Sequence, residues 1–306
     1  SPFKLFSLMM LFAAVFASCG VVSKSQALKP ESMQDKSASQ ILGNPAYTAI
    51  SYGGYRGLNR SEQPSLEQLK EDLVLMHAMG IRFLRTYNVQ LPHASNVVKA
   101  IAELKEADPD FEMYVMLGAW IDCAGAWTDA PNHAEQDVEA NEAEIQRAVA
   151  LAQQHPDIIK VIAVGNEAMV HWAASYFVAP KVILGWVKHL QDLKRAGDLP
   201  SDLWITCSDN FASWGGGGAE YHNADLDSLI HAVDYVSMHT YPFHDTHYNP
   251  TFWKGDVDQA MANAIAYSQN QYAAVVKHVR RIDPDKPVHI GETGWASVSD
   301  GFYGPE

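Results

Sequence analysis

The sequence predicts a (β/α)8 TIM barrel that lacks its eighth strand, and three observations predict it. From Tyr47 onward seven short β-rich runs alternate with amphipathic stretches, and six of the seven runs lead into a helix. The runs are apolar almost without interruption, as strands covered on both faces of a parallel sheet must be. Each then turns polar or aromatic at its C-terminal end, where a barrel of this class collects its functional groups. With 306 residues, 47% of them apolar, the chain has material for one barrel-sized core.

The elements follow in order. "YTAISYG" opens as the first strand, and "SLEQLKEDLVLMHAMG" spaces its apolar residues three and four apart, as a helix laid on a sheet requires. "IRFLRTYN" is the second strand and "ASNVVKAIAELKEAD" its helix; "FEMYVMLGAW" is the third, followed by a helix from about Glu135 to His155. "IIKVIAVGNE" and a helix from about Pro180 to Ala196 make the fourth unit, "LWITCSDN" and "LDSLIHAV" the fifth. "YVSMHTYP" precedes a long helix from about Asp256 to Ile282, and "PVHIGETGW" is the seventh strand. The remainder, "SVSDGFYGPE", reads as a loop, so the barrel of residues 47–306 is expected to be incomplete through C-terminal truncation, and the absent initial Met suggests truncation at the other end. No G-x-G-x-x-G follows the first strand, which weighs against two nucleotide-binding halves.

Lys4 and "LFSLMMLFAAVFA" form an apolar run shorter than the roughly 20 residues that span a bilayer, and the right length for a secretory signal core, so residues 1–18 are expected to be a signal peptide. The run ends in "FASCG", which resembles a bacterial lipobox, with Phe16 where Leu is usual; Cys19 is the lipidation candidate, and plain secretion is the alternative. Residues 19–46, rich in Ser, Lys and Gln, read as a lipid-anchored or flexible linker. Either way the chain is exported, to the cell envelope or beyond. Cys123 and Cys207 have neither metal-ligand spacing nor a disulfide framework. A net charge of -14 argues against a nucleic-acid partner.

The strand ends carry the chemistry. In order they present Tyr52 and Arg56, then Arg85, Tyr87 and Asn88, then Trp120 and Asp122, then Asn166 and Glu167. Asp209 and Asn210 follow on strand five, His239 and Tyr241 on strand six, and Glu292 and Trp295 on strand seven. Glu167 and Glu292, on strands four and seven, face each other across the mouth if the sheet curls into a barrel. Two carboxylates flanking a bond are what glycoside hydrolysis needs, one to protonate the leaving oxygen and one to attack the anomeric carbon, about 5–5.5 Å apart in a retaining enzyme. The bland alternative for either glutamate is a solvated strand end paired with Arg56 or Arg85.

"VGNEAM", "ITCSDN", "SMHTYPF" and "HIGETGWAS", in that order and at strand ends, resemble glycoside hydrolase family 17, the β-1,3-glucanases, over about Tyr47 to Ser297. The resemblance implies a retaining enzyme acting on laminarin-type glucan, with Glu167 as acid/base, Glu292 as nucleophile, Asn166 on the sugar 2-hydroxyl and Tyr241 on the nucleophile. Tyr52, Arg85 and Tyr87 match the rim of the family's cleft. No cofactor and no metal are implied, and a monomer is expected. A raised pKa on Glu167 is expected from burial against Met169 and Trp172 and from repulsion by Glu292.

Trp120, Trp127, Trp172, Trp214, Trp253 and Trp295 fall in or beside the loops after strands, where indoles stack on sugars as readily as they pack under loops, and Trp120 and Trp295 are the substrate-binding candidates. "HTYPFHDTH" groups His239, His244, Asp245 and His247 but lacks metalloprotease spacing. "WGGGGAEYHN" lacks the Lys-Ser/Thr ending of a phosphate loop and reads as a mobile loop beside the cleft. Two other functions use the same scaffold: a glucanosyltransferase with identical catalytic residues, and a non-catalytic glycan-binding lipoprotein.

Overall fold

The computed structural model describes residues 36–242, 244 and 255–295. In chain order its strands are β1 (Thr48–Ser51), β2 (Ile81–Arg85), β3 (Tyr114–Ala119), a short pair β4 (Cys123–Ala124) and β5 (Asn132–Gln136), then β6 (Ile159–Asn166), β7 (Trp204–Asn210), β8 (Val236–His239) and β9 (Val288–Glu292). Seven of them form one sheet, β1-β2-β3-β6-β7-β8-β9, in which every neighbouring pair is parallel. The sheet curls into a nearly closed barrel, an incomplete (β/α)8 fold whose seam lies between β1 and β9. β4 and β5 form an antiparallel hairpin in the stretch after β3.

Helices connect the strands: α2 (Leu66–Ala78), α3 (Pro92–Ala107), α4 (Val138–Gln154), α5 (Pro180–Ala196), α6 (Ala224–Ala232) and α7 (Val257–Ile282), preceded by a single turn α1 (Ala38–Ile41). Their starts are set by side chains that satisfy the free N–H groups of a first turn. Asp137 accepts from Ala140 N at 3.1 Å, Asn223 from Leu226 N at 2.9 Å and Asp256 from Gln259 N at 2.9 Å. Ser65 and Gln68 cap α2 reciprocally.

Alternation along the strands divides the core in two. Leu84, Val115, Leu117, Ile162, Val164 and Ile205 face the helices and pack with Ile101, Ile145, Ile183 and Leu229. Phe83, Tyr114, Met116, Val161, Ala163 and Tyr235 form a second cluster, which Ala38 and Ile41 of α1 join. Here the structure differs from the expected linker of 19–46: Ser37 caps a turn whose Ile41 is buried, because a Leu- and Ile-bearing segment beside an apolar surface gains more from burial than a tether would.

The glycine-rich stretch also differs from the expected mobile loop. Ala212–Gly216 forms a turn kinked at Trp214 and Gly215, and Ala219–Tyr221 a 3-10 turn. Gly215, at φ +84, lies so close to the His278 ring that a Cβ would overlap it. Trp214 is fully buried and donates its indole N–H to Ser237 O at 3.0 Å, so it belongs to the core and not to a cleft. Cys123 and Cys207 are both buried and free.

Candidate active site

Both glutamates stand where a parallel ladder slips by a residue, and a glycine makes each slip feasible. The β6-β7 register shifts between Ala163 and Asn166; Gly165 has φ +81 and Glu167 itself φ +48. The β8-β9 register shifts just before His239 meets Glu292, and a Cβ on Gly291 would overlap Ser237 Oγ. Bulges re-aim side chains at the rim of a sheet. The dipeptide steps "GN" and "GE" before and at the two carboxylates are therefore backbone devices as well as motifs.

Arg85 at the end of β2 joins the two halves. It is buried, donates through Nη1 to Glu292 Oε2 and through Nη2 to Asn166 Oδ1 at 2.6 Å, and its guanidinium lies 4.7 Å from the centre of the Tyr87 ring. Tyr241 donates its hydroxyl to Glu292 Oε1. Glu292 thus accepts from a guanidinium on one oxygen and from a phenol on the other.

Glu167 has the opposite environment. Burial pushes its pKa up to about 7, against the smaller opposing pull of Arg85 and His244. Neither Glu292 nor Trp172 supplies this shift, contrary to the sequence expectation: Trp172 is 62% exposed, and the desolvation comes from enclosure in the mouth. Met169, which was expected to help enclose it, is buried.

His239 stands between the two carboxylates. Its Nδ1 is 3.1 Å from Glu167 Oε1, its Nε2 is 2.7 Å from Ser208 Oγ and 3.9 Å from Glu292 Oε2. Complete burial and then the Arg85 charge keep the ring well below its ordinary pKa, so it is a neutral imidazole that spends one nitrogen on each neighbour. Asp209 lies behind Glu167, fully buried, accepting from Met169 N at 2.7 Å; burial raises it to about 7 against that hydrogen bond, and the Glu167 charge adds to the rise. Sequence reading had placed His239 and Asp209 at strand ends without a role. A polar residue at the last inward position of a strand, beside a candidate acid, was the available signal.

The remaining expectations divide. Arg85, Tyr87, Asn166, Tyr241 and the two glutamates come together. Tyr52 is buried with its hydroxyl given to Asp72 Oδ2 at 2.7 Å, and the same carboxylate takes both Nη atoms of Arg56, so this pair ties β1 to α2 and does not face the carboxylates. Arg56 is thereby no partner for either glutamate. Trp120 donates its indole N–H to Asp122 Oδ1 at 2.8 Å and packs on Tyr176. Trp295 follows β9 and is part exposed. Trp253, Asp245, His247 and Cys19 lie outside the described residues.

Among known proteins, the chain resembles an endo-laminarinase from Formosa Hel1_33_131, whose crystal structure superposes with a TM-score of 0.85 at 60% identity, over 88% of this chain and 71% of that one. A probable glucan endo-1,3-beta-glucosidase of Aspergillus niger is 23% identical over 273 residues, 86% of this chain. This chain spans 53% of that fungal protein's length. The family model described as the BtgE/BtgC glycoside hydrolase domain matches residues 49–304, which takes in every barrel strand but the first residue of β1. The chain belongs to the BtgE/BtgC glycoside hydrolase domain family.

Proposed function

We propose that the chain is a retaining glycosidase of the glycoside hydrolase family 17 kind that cleaves β-1,3-glucan by double displacement. The observation that carries this is the contrast between two glutamates on one mouth: burial raises the Glu167 pKa to about 7, whereas Glu292 accepts from the Arg85 guanidinium and the Tyr241 hydroxyl. The likeness to an endo-laminarinase supports the choice of substrate. Glu292 attacks C1 of the sugar while Glu167 gives its proton to the departing oxygen; Glu167, then a carboxylate, takes a proton from water as the ester to Glu292 breaks. With Oδ1 accepting from Arg85, Asn166 presents its amide N–H2 to the sugar 2-hydroxyl.

Glu292→Ala should lower laminarin hydrolysis by on the order of a thousandfold or more and recover turnover with azide or formate, which replace the missing nucleophile. Glu167→Ala should lose most on substrates with poor leaving groups. Wild-type rates in both variants, read as reducing-sugar release, would sink the assignment.

We also propose that the protein is exported and held at the cell envelope through Cys19. Incorporation of labelled palmitate into the full chain, abolished by Cys19→Ala, is the expected outcome; equal labelling of both chains contradicts it.

A further inference from the structure

A cleft on the outside of the barrel shares no residue with the carboxylate cluster. It lies between α5 and β5, encloses about 430 Å3, and is lined on the helix side by Val182, Gly185, Trp186 and His189, whose spacing puts them on one face. Glu135 and Gln136 of β5 and Lys181 of α5 complete its edges.

Two features shape this cleft. The first is Gly185, which stands in the interior of α5, where glycine is less favourable than any residue but proline. A Cβ there would meet no neighbouring atom within 4 Å, so no close packing demands the glycine; what it does is leave the floor of the cleft bare. The second is the fixing of Trp186. Its ring is half-buried against the core, its indole N–H donates to Gln136 Oε1 at 2.8 Å, and the His189 ring meets it edge-on, centroids 6.0 Å apart and planes at 83°. With its oxygen so used, Gln136 keeps an amide N–H2 that has no partner among the described residues.

The lining selects a class of ligand. Glu135 and Lys181 are both exposed and opposite in sign, so neither an anion nor a cation is favoured, and the net charge of -14 repels acidic polymers. An apolar peptide would cover the carboxylate, the ammonium and the amide without pairing them. An indole beside a bare floor, bordered by an amide, an imidazole and one charge of each sign, fits a neutral sugar, with the C–H face on the ring and the hydroxyls at the polar edges.

We propose that this cleft is a second carbohydrate site, which holds a stretch of β-1,3-glucan apart from the bond being cut. The identity of the sugar rests on the glucanase reading of Glu167 and Glu292. A glucan held at both places dissociates only when both let go, so the second site raises affinity for long or insoluble glucan and leaves the cleavage of short oligosaccharides unaffected.

The test is calorimetric titration of Glu292→Gln, which lacks the nucleophile, with laminarihexaose, alongside retention of the enzyme on insoluble β-1,3-glucan. The titration should show one binding equivalent fewer when Gly185→Leu is added, because leucine, a good helix former, fills the floor. In otherwise wild-type enzyme Gly185→Leu should weaken retention on insoluble glucan by about tenfold, with Tm and kcat/KM on laminarihexaose unchanged. Lys181→Ala combined with His189→Ala, both exposed, should do the same, and decides the matter if the leucine lowers Tm. A stoichiometry and a retention that neither cleft variant changes overturn the second site, while hydrolysis by wild type leaves the glucanase reading intact. Wild type inert on laminarin overturns the glucanase reading and, with it, the choice of glucan as the occupant.

Discussion

At the residue scale, Glu167, the proposed acid/base, owes its raised pKa to enclosure, and enclosure has two measurable signs. A general acid with a pKa of about 7 is lost as pH rises through that value, so kcat on laminarin should fall about tenfold per pH unit on the alkaline side of neutrality. A pH-rate profile flat to pH 9 would contradict it. The same titration acts on stability. Glu167 and Asp209 both have folded-state values raised to about 7 from the ordinary carboxylate range, so each is fully tolerated below about pH 4 and each costs stability as pH climbs from there through 7. Between pH 5 and pH 8 the Asp209→Asn variant should therefore lose less Tm than wild type does; an equal or larger loss would show that Asp209 is already ionised at pH 5. His239 marks a third aspect of this scale. A buried neutral ring with one nitrogen on Glu167 and one on Ser208 fixes the position of the acid without competing for its proton.

At the scale of elements, the two bulges are what turn strand ends into a site. Gly291→Ala should cost roughly 1–3 kcal/mol of stability, because the new methyl meets Ser237 on the neighbouring strand, and should reduce activity further by displacing Glu292; thermal melts and laminarin assays of one preparation check both. A variant with unchanged Tm and activity would mean the sheet absorbs the methyl at no cost. The strands and their order were legible because a parallel sheet writes itself as apolar runs, and helices α2 to α7 because their faces repeat at helical spacing. The glutamate pair was legible from "GNE" and "GETGW". What escaped were features decided across the fold. The β4-β5 hairpin escaped because "NHAEQ" is polar and its pairing with Cys123 and Ala124 is a tertiary choice. The α1 turn was read as tether because Ile41 and Leu42 are an isolated apolar pair among polar residues, and the surface they pack on lies far away in sequence. Tyr52 was assigned to the cleft rim, but its direction depends on Asp72, which lies on the following helix and not in the motif.

At the scale of the whole molecule, the seam sets the barrel apart from its inner strands. Ile50 on β1 and Ile290 on β9 are more than 40% exposed, whereas their counterparts on β3 and β6 are fully enclosed. The helices add Leu75 of α2, Met79 just after it, and Met261 and Ile265 of α7, also exposed. Polar backbone along Thr48–Ser51 and Val288–Glu292 has ladder partners on one side only among the described residues. Across the mouth the ladder gives no direct link: Arg85 from β2 reaches Glu292 on β9 and Asn166 on β6, and His239 from β8 reaches Glu167, so side chains and not backbone join the halves of the site.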